Sequence, residues 1–321
     1  MSRGRLVRAS LVGAAAVLLG VAAALATPPP SASTSRPPSP THVSGIRIAA
    51  AGDIACDPSD GTFHDGRGRG FACRQRATSD VLVGAGYAAV LALGDIQYED
   101  GARADFDLSY DPGWGRVKAI TRPVPGNHDY HTPGAAGYYD YFGKAAGDPA
   151  KGYYSYDLGR WHLIALNSNC SAIGGCGARS LQTRWLRADL AASRARCTLA
   201  YWHHPRFSSG WHGSDSTYTA FWQALVDAGA DVVLVGHDHD YERFAPQDPS
   251  GRLDPERGMR EFVVGTGGKS LRGFLGSRPN SEARDRSSFG VLELTLGAGV
   301  YAWRFVSAVG FFADAGVARC H

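Results

Sequence analysis

The chain of 321 residues has the composition of an ordinary globular protein, with 44% hydrophobic, 11% aromatic and 20% charged residues. Its formal net charge of +3 comes from 33 basic and 30 acidic side chains, and three of the arginines lie within residues 1–26. Without that segment the charges balance, which excludes the strongly basic surface typical of proteins that bind nucleic acids or membrane surfaces.

The first 26 residues have the pattern of a secretory signal peptide. Arg3, Arg5 and Arg8 precede an apolar stretch, 11–26, that ends in the small-x-small signal Ala24-Leu25-Ala26. An uncleaved membrane anchor is the alternative, but the stretch is shorter than the ~20 apolar residues that a spanning helix prefers. We therefore predict cleavage and secretion, with a Pro/Ser-rich linker over 27–45 and a folded domain over 46–321.

Short apolar and β-branched runs recur along the folded domain. They predict strands over 46–52, 88–94, 122–125, 153–157, 161–166, 198–202, 231–235, 261–265, 290–296 and 299–306. Helical spacing predicts helices over 74–86, 181–193 and 217–229, while 57–70, 99–121 and 269–288 are expected to be loops. The β-α-β order followed by hairpin-like pairs predicts an α/β (α+β) fold, in which two mixed sheets form a β-sandwich flanked by helices.

The six cysteines of a chain predicted to be exported are expected to form disulfides. We expect neighbouring cysteines to pair as Cys56–Cys73, Cys170–Cys176 and Cys197–Cys320, one of about fifteen possible connectivities. A zinc cluster is the alternative, but the chain has no Cys-x-x-Cys motif.

Five motifs offer metal-ligating side chains, and most of them directly follow a predicted strand. They are Gly52-Asp53, Gly94-Asp95-Ile96-Gln97-Tyr98, Gly126-Asn127-His128-Asp129, Trp202-His203-His204-Pro205 and Gly236-His237-Asp238-His239. Each is weak by itself, because Gly-Asp pairs are common in turns. Since the carboxyl ends of strands in open α/β sheets meet at one rim, the full series predicts a metal site with two ions.

The series resembles the signature of the calcineurin-like metallophosphoesterases and, within them, of the purple acid phosphatase branch in a single-domain bacterial form. The signature GD…GDxxY…GNH[DE]…xxxH…GHxH is matched at every block, and the resemblance covers roughly 46–306. Most members of the superfamily have a histidine two residues after the first aspartate, where this chain has Ala55. Purple acid phosphatases use instead a tyrosine at the position of Tyr98, and a phenolate oxygen favours a trivalent cation such as Fe(III).

The resemblance implies two metal ions, Fe(III) and a divalent ion that is Fe, Zn or Mn. The ferric ligands would be Asp53, Asp95, Tyr98 and His239, and the divalent ligands would be Asp95, Asn127, His203 and His237, with Asp95 bridging. His204 departs from the family pattern, which has a small residue at its position.

The resemblance also implies two histidines that act on the substrate. His128 matches the histidine that contacts the phosphate and assists departure of the leaving group. His212, nine residues after His203, matches a histidine of the leaving-group pocket, with a surface histidine as the alternative. Asp129 is expected to orient His128 through a hydrogen bond. Glu242 and Arg243 are expected to be structural, as an ion pair or a strand cap.

These motifs predict a secreted binuclear-metal phosphatase that hydrolyses phosphate monoesters by attack of a metal-bound hydroxide. A phosphodiesterase or nucleotide-hydrolysing enzyme on the same scaffold is the alternative. A non-catalytic binding protein fits less well because all seven ligands are present, and a purely structural metal set fits poorly with Asn and His ligands, which suit an open site. The predicted partner is a small phosphorylated substrate, with no nucleic acid beyond nucleotides, no membrane after signal cleavage, and no prediction of oligomeric state.

Overall fold

A computed structural model describes residues 43–321 of the chain. The predicted signal peptide and residues 27–42 of the predicted linker lie outside the described residues. Within the described part, no helix combines the length and the apolar character needed to cross a membrane.

The first sheet has six strands, of which the three at one side are parallel. The six strands are β1 (Ile46–Ala51), β2 (Ala89–Leu93), β3 (Thr121–Val124), β11 (Phe289–Gly297), β12 (Val300–Val309) and β13 (Ala315–Arg319). Their order is β13-β12-β11-β1-β2-β3. The strands β1, β2 and β3 are parallel, and β11 joins them antiparallel to β1.

The second sheet has seven strands and a longer parallel centre. They are β4 (Tyr154–Leu158), β5 (Trp161–Ala165), β6 (Cys197–Tyr201), β7 (Val232–Val235), β8 (Tyr241–Phe244), β9 (Arg260–Val264) and β10 (Ser281–Asp285). Their order is β10-β8-β9-β7-β6-β5-β4, in which β5, β6, β7 and β9 are parallel.

The two sheets pack face to face over one apolar core, as predicted. Leu91 and Leu292 from the first sheet share this core with Leu163, Leu199 and Phe262 from the second, and all five are fully buried. Burial of such a side chain contributes about 1.5–3 kcal/mol to the stability of the folded protein. The positions of the apolar residues along the strands therefore determine which faces of the two sheets pack together.

Helices cover the sandwich from outside. They are α1 (Gln75–Leu82), α2 (Arg103–Asp105), α3 (Ala136–Phe142), α4 (Leu181–Ala192) and α5 (Thr219–Asp227). Phe221 and Leu225 of α5 lie one turn apart and are buried in a second apolar cluster with Val233 and Val235 of β7. The α/β sandwich with flanking helices is therefore confirmed.

Five regular elements were not predicted from sequence: α2, α3, β8, β10 and β13. The strand β10 lies at the edge of its sheet, where residues Ser281–Asp285 are mostly polar and alternate between partly buried and exposed. An edge strand buries little surface, so its sequence carries no apolar run. The expected loop 99–121 contains the helical turns Phe106–Tyr110 and Trp114–Ile120, which bury aromatic side chains.

All six cysteines pair as predicted. The bridges are Cys56–Cys73, Cys170–Cys176 and Cys197–Cys320. The last of these joins residues 123 positions apart, at the beginning of β6 and just after β13.

Candidate metal centre

The carboxyl ends of five parallel strands meet at one rim of the sandwich. Strands β1, β2 and β3 reach it from the first sheet, and β6 and β7 reach it from the second. The Asp53 N–H donates to the Gly94 carbonyl at 3.1 Å, and the Gly236 N–H donates to the His203 carbonyl at 2.9 Å. The five predicted motifs therefore lie side by side.

Two glycines permit the close approach of these strand ends. A Cβ atom on Gly126 would lie 2.1 Å from both the backbone nitrogen and Oδ1 of Asp95. At Gly94, where φ is +82°, a Cβ atom would lie 2.6 Å from Nδ1 of His203. Glycine is needed at both positions because no side chain fits between the ligands.

Three of the predicted ligands have the left-handed backbone conformation that is unusual outside glycine. The φ angles are 58° at Asp53, 47° at Asp95 and 70° at His237. Such residues cost of order 1–3 kcal/mol and persist only where their surroundings hold them. Here the His237 N–H donates to Oδ2 of Asp53 at 2.9 Å, and the His128 N–H donates to Oδ1 of Asp95 at 2.8 Å.

The four side chains predicted to hold the ferric ion are in contact. The phenolic oxygen of Tyr98 lies 2.9 Å from Oδ1 of Asp53, 3.0 Å from Oδ2 of Asp95 and 3.0 Å from Nε2 of His239. Nε2 of His239 lies 3.4 Å from Oδ1 of Asp53. All four side chains are buried.

The side chains predicted to hold the divalent ion form an adjoining group. Nε2 of His203 lies 3.2 Å from Oδ1 of Asn127, 3.3 Å from Oδ2 of Asp95 and 3.2 Å from Nδ1 of His237. The same Oδ2 of Asp95 therefore faces Tyr98 on one side and His203 on the other. A carboxylate that bridges two metal ions must lie between the two groups of ligands, as Asp95 does here.

The charges at this site fit bound cations. Burial, followed by the carboxylates of Asp53 and Asp95, raises the pKa of Tyr98 well above its ordinary value. Burial lowers the pKa of His203, but the charge and hydrogen bond of Asp95, together with the charge of Asp53 and the Leu93 carbonyl, outweigh burial and raise that pKa to about 9. Within the protein alone, a proton on the His203 imidazole thus offsets the negative charge of the Asp53 and Asp95 carboxylates. A metal cation would replace that proton and favour the phenolate, so the donor set fits two ions.

Two of the predicted histidine ligands are oriented by groups outside the five motifs. Nδ1 of His203 lies 2.9 Å from the Leu93 carbonyl, and Nδ1 of His239 lies 2.8 Å from Oγ of Ser270. In each ring the other nitrogen, Nε2, is thereby directed toward the ligand groups. Ser270 carried no signal in the sequence, because a serine in a glycine-rich loop has no distinctive pattern.

His128 lies at the rim beside the ferric ligands. Its Nδ1 is 2.6 Å from the Glu99 carbonyl, and its Nε2 is 4.0 Å from Oδ2 of Asp95. The ring centroid lies 4.3 Å from that of Tyr98. The ring is partly exposed, so Nε2 can meet both the centre and a molecule from solvent.

Asp129 differs from its prediction as the residue that orients His128. Its fully buried carboxylate accepts backbone N–H groups of Gly126 at 2.8 Å, Ile96 at 3.3 Å and Gln97 at 3.4 Å. Burial and then the charge of Asp95 raise the pKa of Asp129 to about 7. Asp129 is therefore a positioning residue that joins two ligand loops, and the Glu99 carbonyl orients His128 instead.

His212 and His204 both lie beside His237. The ring centroid of His212 is 4.1 Å from that of His237, and the ring centroid of His204 is 4.4 Å from it. Nδ1 of His204 lies 2.8 Å from Oγ of Ser168. Burial and then the positive charge of His203 lower the pKa of His204 to about 3. The structure thus brings His212 to the rim and holds His204 as a neutral ring behind it.

Glu242 and Arg243 have structural contacts, although they do not form a pair with each other. Glu242 accepts hydrogen bonds from the backbone nitrogen and Oγ of Ser209, both at 2.7 Å. Arg243 pairs with Asp314 at 2.7 Å and with Glu282.

Comparisons with known proteins agree with this geometry. The sequence model of one protein family, described as calcineurin-like phosphoesterase, matches residues 46–241, which include all seven predicted ligands. Purple acid phosphatase 18 of Arabidopsis thaliana is 26% identical over 244 residues, which cover 69% of this chain and 53% of that protein. Purple acid phosphatase 21 of the same plant is 31% identical over 153 residues, which cover 43% of this chain and 32% of that protein.

A solved structure shows the same fold. The purple acid phosphatase PPD1 from yellow lupin (Lupinus luteus) seeds matches with a TM-score of 0.70 at 18% identity, and covers 88% of this chain and 55% of that one. This chain therefore spans about a third to a half of the length of the plant relatives named here.

Proposed function

The chain belongs to the calcineurin-like phosphoesterase family, and on that premise we propose that it is a binuclear-metal phosphatase of the purple acid phosphatase-like branch. Its proposed reaction is the hydrolysis of phosphate monoesters. The observation that carries the proposal is the position of Asp95 Oδ2, 3.0 Å from the Tyr98 oxygen and 3.3 Å from His203 Nε2.

The proposed ligand sets follow the two contact groups. Asp53, Tyr98 and His239 would hold Fe(III), Asn127, His203 and His237 would hold Fe, Zn or Mn as the divalent ion, and Asp95 would serve both. Two bound cations supply positive charge that polarises the phosphate oxygens and lowers the pKa of a coordinated water.

The protein's own groups would then orient the ester and move a proton. Asp53 and Tyr98 supply negative donors on one side of the centre, while Asn127, His203 and His237 are neutral when they coordinate. His128 presents Nε2 at the rim, where it can donate a hydrogen bond to a phosphate oxygen or a proton to the departing alkoxide. His212 lies on the opposite flank, against His237.

Export through a signal peptide, and a folded domain over 46–321, are further parts of the proposal. Three disulfides support an oxidising compartment, since such bridges are rare in the cytosol. Recovery of the protein from the medium of its native host, with a mature chain that begins near residue 27, would be the expected result. Retention of residues 1–26 on a membrane fraction would contradict it.

The activity can be tested on the full chain loaded with iron or zinc. We expect two metal ions per chain by elemental analysis and faster hydrolysis of p-nitrophenyl phosphate than of its bis-ester. Asp95→Asn should lower both the metal content and the rate, whereas Asp227→Asn, an exposed change on α5, should alter neither. Clear preference for the diester would favour the phosphodiesterase alternative, and absence of hydrolysis with two ions bound would refute the proposal.

A further inference from the structure

A cavity of about 370 Å³ adjoins the metal centre at His212. It lies between two loops, here called the serine loop (208–213) and the arginine loop (272–278). Its lining includes His212, Leu275 and Arg278 together with serine hydroxyls and glycine backbone, and contains no acidic side chain. Because the His212 ring also packs 4.1 Å from the His237 ring, a group in this cavity would sit beside the ester at the metal centre.

Two arginines flank His212 from the arginine loop. Nη1 of Arg272 lies 3.1 Å from Nε2 of His212, while the Arg272 backbone N–H donates to the His239 carbonyl at 2.9 Å. Nε of Arg278 donates to the Ser208 carbonyl at 3.3 Å. Between residues 43 and 321, neither guanidinium is paired with a carboxylate, in contrast to Arg243.

The serine loop is held rigidly, and its acidic anchors are hidden. Asp238 accepts the N–H groups of His212 at 2.7 Å and Gly213 at 3.2 Å, and Glu242 accepts that of Ser209 at 2.7 Å. Both carboxylates are fully buried. Their charge is thus engaged by the loop backbone, and the positive guanidinium groups dominate at the cavity.

The arginine loop is fixed to the serine loop in turn. The Leu275 N–H donates to the Ser209 carbonyl at 3.0 Å, and the Arg278 N–H donates to Oγ of Ser209 at 2.8 Å. The cavity is therefore a preformed space whose lining carries the Arg278 guanidinium and no carboxylate, and it lies beside His212. Guanidinium groups that are not paired with a carboxylate of the protein can bind a carboxylate or phosphate of a ligand through charge-assisted hydrogen bonds.

We propose that this cavity is a subsite for a second anionic group, so that the preferred substrates are phosphate monoesters whose alcohol carries a further carboxylate or phosphate. The inference rests on the proposed phosphatase function and deepens it. Arg278, which lines the cavity, and Arg272, which contacts the cavity residue His212, determine this specificity by contacting the second anion. The serine loop positions Arg278, and the His239 carbonyl positions Arg272.

Matched pairs of substrates test the subsite, with inorganic phosphate release as the readout. One pair is glycerol 3-phosphate and 3-phosphoglycerate, and the other is glucose 6-phosphate and glucose 1,6-bisphosphate. In at least one pair, we expect kcat/KM to be about tenfold higher for the more anionic member, the size expected for two partly exposed charge pairs. The ratio should fall as salt is added, because exposed charges are screened.

Arg272→Gln and Arg278→Gln should each reduce this ratio at least about threefold, and the double variant should bring it close to one. Arg196→Gln is the matched control, because Arg196 is exposed and precedes β6, at the opposite end from His203. Both substrates are measured on one preparation, so the ratio is independent of the fraction of folded enzyme.

A ratio within about twofold of one in both pairs, or a ratio that survives both arginine substitutions, would overturn the subsite. A different result is expected if the proposed phosphatase function itself is wrong. The wild-type protein would then release phosphate neither from these esters nor from p-nitrophenyl phosphate.

Discussion

The backbone N–H of His212 donates a 2.7 Å hydrogen bond to Oδ1 of Asp238, the residue between His237 and His239. The same carboxylate accepts the Ser208 hydroxyl and the Gly213 N–H. The residue that separates two predicted ligands therefore anchors the loop that carries a third histidine, and the ligand segment and the serine loop form one rigid unit.

Asp238→Asn should weaken that unit without removing a ligand. The amide group would face two backbone N–H donors, and loss of such buried hydrogen bonds costs about 1–3 kcal/mol in free energy of unfolding. We expect kcat for p-nitrophenyl phosphate to fall by about 10–100-fold while the metal content stays at two ions per chain. Urea unfolding and elemental analysis would check both parts, and unchanged kcat would rule out this role for Asp238.

Tyr98→Phe tests the ferric assignment. Phenolate bound to Fe(III) absorbs visible light by charge transfer, so the iron-loaded wild-type protein should be tinted and the variant colourless. The iron content should also fall, because the phenolic oxygen lies within 3.0 Å of the Asp53, Asp95 and His239 donors. Tyr153→Phe is the control, as Tyr153 packs on Trp185 away from the centre. Colourless wild-type protein that is active with two divalent ions would refute the ferric assignment.

Gly126→Ala should disrupt the centre by steric overlap alone. The added Cβ atom would lie 2.1 Å from the backbone nitrogen and Oδ1 of Asp95, so the carboxylate proposed to bridge the two ions must move. We expect both metal content and phosphatase rate to drop, the rate by at least about 100-fold. Gly177→Ala adds the same methyl group where no atom lies within 4 Å, and should behave as wild type. A fully metallated Gly126→Ala protein would contradict this account.

His162 should give the protein a pH-dependent stability that is separate from the metal centre. Its ring nitrogens lie 2.8 Å from Asp189 and 2.8 Å from Asp157. The hydrogen bond to Asp189 raises the pKa of His162 above 6.5, burial opposes this shift, and the hydrogen bond to Asp157 adds to it. The stabilisation is thus fully present below pH 6.5, the unfolded value, and is lost as the pH rises through the raised folded-state pKa.

The difference in free energy of unfolding between wild type and His162→Asn should therefore shrink as the pH is raised from about 5 to 9. Asp189→Asn should remove most of that pH dependence. A difference that is constant across the range would show that the ion pairs contribute nothing.

The structure brings the predicted ligands together at one rim because their motifs follow strand ends, most directly at Asp53, Asp95 and His237. Their supporting partners could not be predicted in the same way. Ser270 contacts Nδ1 of His239, which lies 31 residues away in the sequence. The sequence around Asp238 does not show that its carboxylate accepts hydrogen bonds from the serine loop. The role of Asp129 was mistaken because adjacency in sequence suggested a bond to His128, whereas the loop turns its carboxylate toward backbone N–H groups.

The buried apolar strands were predicted, and two of the three missed strands, β10 and β13, lie at sheet edges. The third, β8, is buried, but its sequence Tyr241-Glu242-Arg243-Phe244 places two charged residues inside the strand. Val232–Val235 is a buried aliphatic run, whereas Ser281–Asp285 is paired on the sheet edge by its backbone. The short helix Ala136–Phe142 was missed because its aromatic residues pack against Phe106 and Tyr110 from another loop, a contact without local periodicity.

The hydrogen bond from the His237 N–H to Asp53 joins groups 184 residues apart in the chain. Contacts of such long range form only after most of the loop entropy has been lost, so they appear late in folding. A nascent polypeptide that has emerged only through β6 would lack all three predicted imidazole donors, His203, His237 and His239, and could not hold the proposed metal ions at this rim. Enzymatic competence would therefore arise at the completion of folding, sparing the cell from a phosphatase that acts before it is fully made.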